Sequence, residues 1–214
     1  MKRVHLGVPV LRRYDLLREM LLSAQRGTVK PFVQVIDNGK QPEKLRQALD
    51  GIDLPVAIYQ PDRPTGVAEA WNWFVDHLPE ERIITNDDIT FTEDAIEKMV
   101  DCLGDLVFAC GYSCFLIRDS AFEKIGRFDE NISPGYAYWE DIDYDQRIRL
   151  ALRGGSDFVQ SNGPCVVHHG GSKTNEVAAP EDIQAHHAKF IRARYNFMQK
   201  WAHLPAELLH PAAK

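Results

Sequence analysis

Ile83-Ile84-Thr85-Asn86-Asp87-Asp88-Ile89 decides how this sequence is read. Two branched apolar residues run directly into an amide and two carboxylates. Branched side chains fit the pleated, packed surface of a strand, and the sudden polarity ends it. The reading is a buried strand that stops by pointing oxygen ligands into a cleft. Carboxylate and amide oxygens of this kind suit a hard divalent cation.

Upstream of that stretch, apolar runs at 4–10, 31–36 and 56–59 read as three further strands, and 82–85 as the fourth. Helical stripes separate them. Leu16, Leu17, Met20, Leu21 and Ala24 follow a capping Asp15 and stop at Gly27. Pro42 opens a short helix carrying Leu45, Ala48 and Leu49. Val67, Ala70, Trp71, Phe74, Val75 and Leu78 form a third stripe after the loop 62–66. Thr92 is the expected cap of the next helix, with Glu93 and Asp94 in its positive first turn. Regular alternation of strand and helix implies an α/β fold with a mostly parallel central sheet. Ligands in such sheets bind beyond the carboxyl ends of the strands. Asp37 and the 86–88 cluster both fall there.

Downstream the pattern loosens. Residues 106–117 read as one bent strand or two, 120–125 as a short helix and 126–130 as a turn. The aromatic and acidic run Tyr136, Tyr138, Trp139, Glu140, Asp141, Asp143 and Tyr144 enters a helix expected from Asp141 to Gly154-Gly155. Short strands are expected at 158–160 and 165–167, delivering His168 and His169 before a glycine loop. Pro180 opens a last helix with Ile183, His187, Phe190, Ile191, Arg194, Met198 and Trp201 near one stripe. One domain over 1–204 with a loose tail at 205–214 is expected.

The chain has 214 residues, enough for a full core, and a formal net charge of −6. That balance argues against a broad basic surface for nucleic acid or anionic membrane, while leaving room for a local one. No apolar run is long enough to span a bilayer, and the N-terminus lacks the apolar core of a signal peptide. A cytoplasmic protein without stable membrane insertion is expected. Cys102, Cys110, Cys114 and Cys165 form no CxxC pair, and reduced thiols are expected.

Each polar candidate has an ordinary role beside its functional one. Asn86-Asp87-Asp88 can be a strand-end turn. Glu140-Asp141 can simply favour a helix start. Asp37 can form an Asx turn before Gly39. Asp143 lies two residues beyond Asp141, so helical geometry turns it away and makes it structural.

Four separated stretches share one pattern: Gly7-Val8-Pro9-Val10 with Ile36-Asp37-Asn38-Gly39; Thr65-Gly66-Val67-Ala68 with Asn72; Thr85-Asn86-Asp87-Asp88; and Gly126-Arg127-Phe128-Asp129-Glu130 with Glu140-Asp141-Ile142-Asp143. Together they resemble the family-2 glycosyltransferases of the GT-A fold. The His168-His169-Gly170-Gly171-Ser172 stretch resembles the histidine after that family's last core strand. Residues 194–201 are similar to the tail of its rhamnosyltransferase-like members.

The resemblance implies roles by position. Pro9 and Val10 would lie beside the nucleotide base, Asp37 on the base or ribose, and Asn38 nearby. Gly66 and Asn72 would shape the donor pocket. Asn86, Asp87 and Asp88 would form the DxD-type motif, with Asp88 the ligand of Mn²⁺ or Mg²⁺. His168, or His169, would complete the metal or diphosphate site. Asp141, next to Glu140, would be the catalytic base of an inverting transfer. Asn86 departs from the family pattern and supplies a neutral ligand where an aspartate is usual.

The implied donor is a UDP-, GDP- or dTDP-linked sugar. The acceptor is a hydroxyl on a saccharide, lipid-linked sugar, protein or modified nucleobase, and a homodimer could complete its surface. A nucleotidyltransferase on a related sheet would call for a glycine- and basic-rich loop after the first strand, and this loop has no glycine. A catalytically silent binding module would have no need of both Asp88 and Asp141.

Overall fold

Apolar residues at two-residue spacing inside short runs give strands, and those runs pair in a seven-stranded sheet. The computed structural model describes residues 3–152, 158–161, 165–169 and 179–213. In chain order the elements are β1 (His5–Val10), α1 (Tyr14–Arg26), β2 (Phe32–Asp37), α2 (Pro42–Leu49), β3 (Val56–Tyr59), α3 (Val67–His77), β4 (Arg82–Thr85), β5 (Ile89–Phe91) and α4 (Ala95–Asp101). They continue as β6 (Leu106–Phe108), β7 (Cys114–Ile117), α5 (Asp119–Ile125), α6 (Glu140–Ala151), β8 (Val159–Ser161), β9 (Val166–His168) and α7 (Pro180–Lys200).

The main sheet runs β3-β2-β1-β4-β7-β6-β8. The pairs β1–β2, β2–β3, β1–β4 and β6–β8 are parallel, and β7 runs antiparallel to both β4 and β6. A mixed α/β fold with a mostly parallel sheet is therefore what the alternation builds. One face carries a core of Leu17, Met20, Leu21, Val33, Val35, Ile83, Ile96 and Leu116 under α1 and α4. The other packs Trp71, Phe74, Ile84, Phe115, Phe128 and Tyr144 under α3 and α6. Gly7 has a packing reason: a Cβ there would sit 2.6 Å from the Phe74 ring.

Several local expectations give way to tertiary contacts. Asp15 does not cap α1; it lies in the first turn and pairs with Arg13 at 2.6 Å. Thr92 does not cap α4 either, because its hydroxyl donates to the Cys165 carbonyl at 2.9 Å and the helix starts three residues later. Residues 106–117 form two strands, β6 and β7, turning at Gly111 with φ 50°. Residues 89–91, for which the sequence suggested no element, form β5, which pairs antiparallel with β9 in a separate two-stranded sheet. The expected helix stop at Gly154-Gly155 lies outside the described residues.

The segment after Leu204 is docked. Two short 3-10 turns, Ala206–Leu208 and Pro211–Ala213, lie there. Gln146 of α6 donates to the Leu208 carbonyl at 3.0 Å and accepts from the His210 N–H at 2.6 Å. A polar side chain of α6 thus holds backbone of the segment expected to be loose. All four cysteines are free thiols. No helix among the described residues is long and apolar enough to cross a membrane.

Candidate functional site

The parallel strands β1, β2 and β4 end together, and their ends carry the polar residues singled out above. At the end of β2, Asp37 is fully buried. Tyr14 donates its hydroxyl to Oδ1, the Lys40 N–H donates to the same oxygen at 3.0 Å, and Gln60 donates to Oδ2 at 2.8 Å. Asn38 spans from β1 to the loop before α3: its N–H donates to the Val10 carbonyl at 2.8 Å, and Oδ1 accepts from the Thr65 N–H at 2.9 Å. Pro9 is half-buried. Val10, expected beside the base, instead points into the core under α1, because side chains alternate along β1.

Gly66 and Asn72 frame α3. The Gly66 N–H donates to Glu69 at 2.8 Å, and a Cβ at Gly66 would lie 2.6 Å from the Tyr136 nitrogen. The absence of a side chain is what lets the 135–136 backbone close over the start of α3. Asn72 is buried and its amide is used on the protein itself. It bridges to the Phe128 carbonyl and N–H at 2.9 and 3.0 Å and to Glu130 at 2.8 Å. It acts as a strut between α3 and the 126–130 turn.

The third group lies beyond β4. The Asn86 N–H donates to the Ser113 carbonyl at 2.8 Å, which ties the motif to the β6–β7 turn. Burial and the adjacent Asp88 carboxylate push Asp87 up to about 7. Asp88 is buried, and the β5–β9 ladder places Ile89 opposite His168. As a result His168 Nε2 lies 3.2 Å from Asp88 Oδ2, and the His169 N–H donates to the Asp88 carbonyl at 3.0 Å. The His169 ring turns elsewhere, to Thr90 at 2.6 Å. Asp88 Oδ1 is buried with no hydrogen-bond partner. An imidazole nitrogen beside one oxygen of a carboxylate whose other oxygen is unsatisfied suits a divalent cation. Among the described residues no group of three or more His, Cys, Asp or Glu side chains converges for a metal, so ligands from a diphosphate or water would have to fill the rest of the shell.

The fourth group opens α6. Tyr138 and Trp139 precede it with φ of 90° and 71°. Two successive non-glycine residues in this region are strained, on the order of 1–3 kcal/mol each, and persist only where surroundings force them. Trp139 is wedged against Phe197 at 5.2 Å between ring centres, and Tyr138 packs edge-on to His186 and Phe190. The strain aims Glu140 and Asp141 from the first helical turn. Burial, then Asp141, pushes Glu140 up to about 8, and its Oε2 is buried without a partner. Burial also raises Asp141, against the Ile142 N–H that donates to Oδ1 at 2.8 Å. Asp143 is fully buried and structural: it accepts from Trp201 Nε1 at 2.9 Å and pairs with Arg147 and Lys200 at 3.0 and 2.8 Å.

Some neighbours of the site carry no sequence signal. Tyr14 and Gln60 reach Asp37 only because β1, β2 and β3 pair. Tyr112 donates to Asp145 at 2.7 Å, and His210 Nε2 sits 3.7 Å from the same carboxylate. Asp145 is one helical turn beyond Asp141, so the spacing four residues on was a usable sign. Tyr112 and Ser113 share one turn, which links α6 to the end of β4.

No protein-family model matches this chain, and no curated protein matches it. Solved structures do. The TarS 1–349 structure of S. aureus is 10% identical with TM-score 0.57, over 96% of this chain and 76% of that one. TarS 1–349 in complex with UDP-GlcNAc gives 12%, 0.58, 97% and 68%. The glycosyltransferase GlyE of Streptococcus pneumoniae TIGR4 gives 10%, 0.52, 100% and 66%. At these identities the likeness concerns the fold alone: this chain shares the mixed α/β fold of the TarS and GlyE structures.

Proposed function

We propose that this chain is a family-2, GT-A glycosyltransferase that moves a sugar from a nucleotide-diphosphate donor to a hydroxyl acceptor with inversion. The observation that carries the reading is the buried Asp88 carboxylate with one unsatisfied oxygen beside His168, beyond the ends of the same strands that present Asp37. A nucleotide-binding fold that leaves a buried carboxylate oxygen unpartnered bears a cost of about 1–3 kcal/mol, which a ligand would relieve. That a TarS structure holds UDP-GlcNAc supports a nucleotide sugar as the ligand class.

In this reading the base and ribose lie over Pro9, Asp37 and Asn38, and Gly66 shapes the donor pocket by letting the 135–136 backbone close over the start of α3. Asp88 and His168 would hold Mn²⁺ or Mg²⁺, which when bound supplies charge neutralisation for the leaving diphosphate. Asp141 takes the proton from the acceptor hydroxyl as its oxygen attacks the anomeric carbon. The bond from that carbon to the diphosphate oxygen breaks on the opposite face, so the configuration inverts. Burial raises the Asp141 carboxyl, which makes it a stronger base than an exposed aspartate. Glu140 beside it stays protonated over much of that range and keeps a second charge from forming there.

The test is thermal unfolding with UDP, GDP, dTDP and their sugars, with and without Mn²⁺, on wild type and Asp88→Ala. Saturation at a hundred times the dissociation constant stabilises by about 2.7 kcal/mol. Cation-dependent stabilisation by one nucleotide, lost in Asp88→Ala, is the expected result. No response to any nucleotide rejects the reading.

A further inference from the structure

We propose that the outer face of α7 seats this protein on an anionic lipid surface. The helix has 21 residues, yet Ala193 and Phe197 are the ones it buries. Both lie on one side, where Phe197 packs against Trp139. On the opposite side, at 100° per residue, Ala188, Ile191 and Tyr195 form a ridge. Ile191 is 67% exposed and Tyr195 54%. Ile183 and Phe190, 37% and 39% exposed, lie nearer the buried side, where Phe190 packs on Tyr138 and Trp139. The ridge itself thus carries two of the ten large exposed hydrophobic side chains among the described residues.

Charge selects the partner. From 183 to 206 there is no aspartate or glutamate, in a chain whose net charge is −6; Lys189 and Lys200 turn inward, to the Tyr136 ring and to Asp129 and Asp143, which leaves Arg192 and Arg194 beside the ridge. Arg192 and Arg194 flank the ridge on its two sides, and the Arg192 guanidinium lies 5.7 Å from the Tyr195 ring centre. An apolar ridge between arginines is the pattern of a helix lying in a membrane interface: apolar tips enter the acyl boundary and long cationic side chains reach headgroup phosphates.

A second copy of the chain fits less well. A two-fold contact through this ridge would bring Arg192 and Arg194 against their own kind. Two apolar side chains also fall far short of the ~800 Å² per partner that a stable interface buries. The inference does not depend on the donor reading above. It adds a location for the acceptor, since a chain lying on lipid meets substrates that are themselves lipid-linked.

Flotation of the whole chain with vesicles tests this without any activity. The vesicles are phosphatidylcholine alone, or with about one-third phosphatidylglycerol, at low and high salt. Wild type is expected to float with the anionic vesicles at low salt and to be released by high salt. A basic side chain near such a surface is worth about fivefold in partitioning, so Arg192→Glu/Arg194→Glu should lose at least about twentyfold. Ile191→Ser/Tyr195→Ser should weaken flotation while leaving the melting temperature in place. Equal flotation with both vesicle types, none with either, or full flotation of Ile191→Ser/Tyr195→Ser overturns the proposal. So does a wild-type dimer by light scattering that Ile191→Ser/Tyr195→Ser dissociates, which would make the face a protein interface.

Discussion

Asp88 and His168 meet across the two-stranded sheet, Oδ2 to Nε2 at 3.2 Å, while the second oxygen of the same carboxylate is buried and unpartnered. A side chain held in that state is poorly placed for stability and well placed for a ligand. Asp88→Asn is therefore expected to melt no lower than wild type in metal-free buffer, yet to lose cation-linked stabilisation by nucleotide. Thermal melts with EDTA and with Mn²⁺ plus nucleotide separate the two effects. A variant that still gains the full cation-dependent shift removes Asp88 from the site.

Asp141→Asn tests the base. Removing general-base help lowers turnover by typically 10²–10⁴-fold, with nucleotide affinity kept. Because burial raises the Asp141 carboxyl, the acid limb of wild-type turnover is expected above the ordinary carboxylate range. Turnover of sugar donor against pH, paired with calorimetric nucleotide binding, checks both points. Unchanged turnover would hand the proton to another group.

Glu140 gives a pH-dependent stability. Burial raises it from 4.5 to about 8, so the unfolded chain releases this proton at lower pH than the folded one. Below 4.5 both states hold it; between 4.5 and about 8 the unfolded state is increasingly favoured; above that the penalty is constant. Glu140→Gln should flatten the loss between pH 5 and 8 and exceed wild-type stability at the upper end. Urea midpoints at both ends of that window decide it, and parallel curves for the two proteins would count against a buried neutral Glu140.

Asp143 ties α6 to the end of α7. Asp143→Ala leaves the Arg147 and Lys200 charges and the Trp201 N–H short of a partner. Loss of one member of such a buried set costs about 3–5 kcal/mol. Chemical denaturation should show that drop, and proteolysis should begin at α7. A loss within ordinary surface-substitution range would mean the cluster is solvated.

The first half of the fold was legible because each strand and stripe is self-contained: Val67, Ala70, Trp71 and Phe74 announce α3 without reference to anything distant. The fate of side chains at the ends was less so. Thr92 and Asp15 look like caps locally and are taken by Cys165 and Arg13 instead. Asn72 looks like a pocket residue and is spent on Phe128. Val10 follows the alternation of β1 into the core, which its strand position alone already implied. β5 is three residues long and has no meaning until β9 comes beside it. Asp88 and His168 were both nameable from the sequence, but their contact depends on that pairing.

The same short ladder has a kinetic consequence. Thr90 and His169 are 79 residues apart, and closing so long a span adds entropy cost that only a few strand contacts repay. The sheet around β1, β2 and β4 can assemble from nearer segments. Competence to respond to a divalent cation should therefore be the last property regained on refolding, lagging behind recovery of helix and sheet signals. A chain interrupted before β9 would keep Asp37 and lose the cation response altogether.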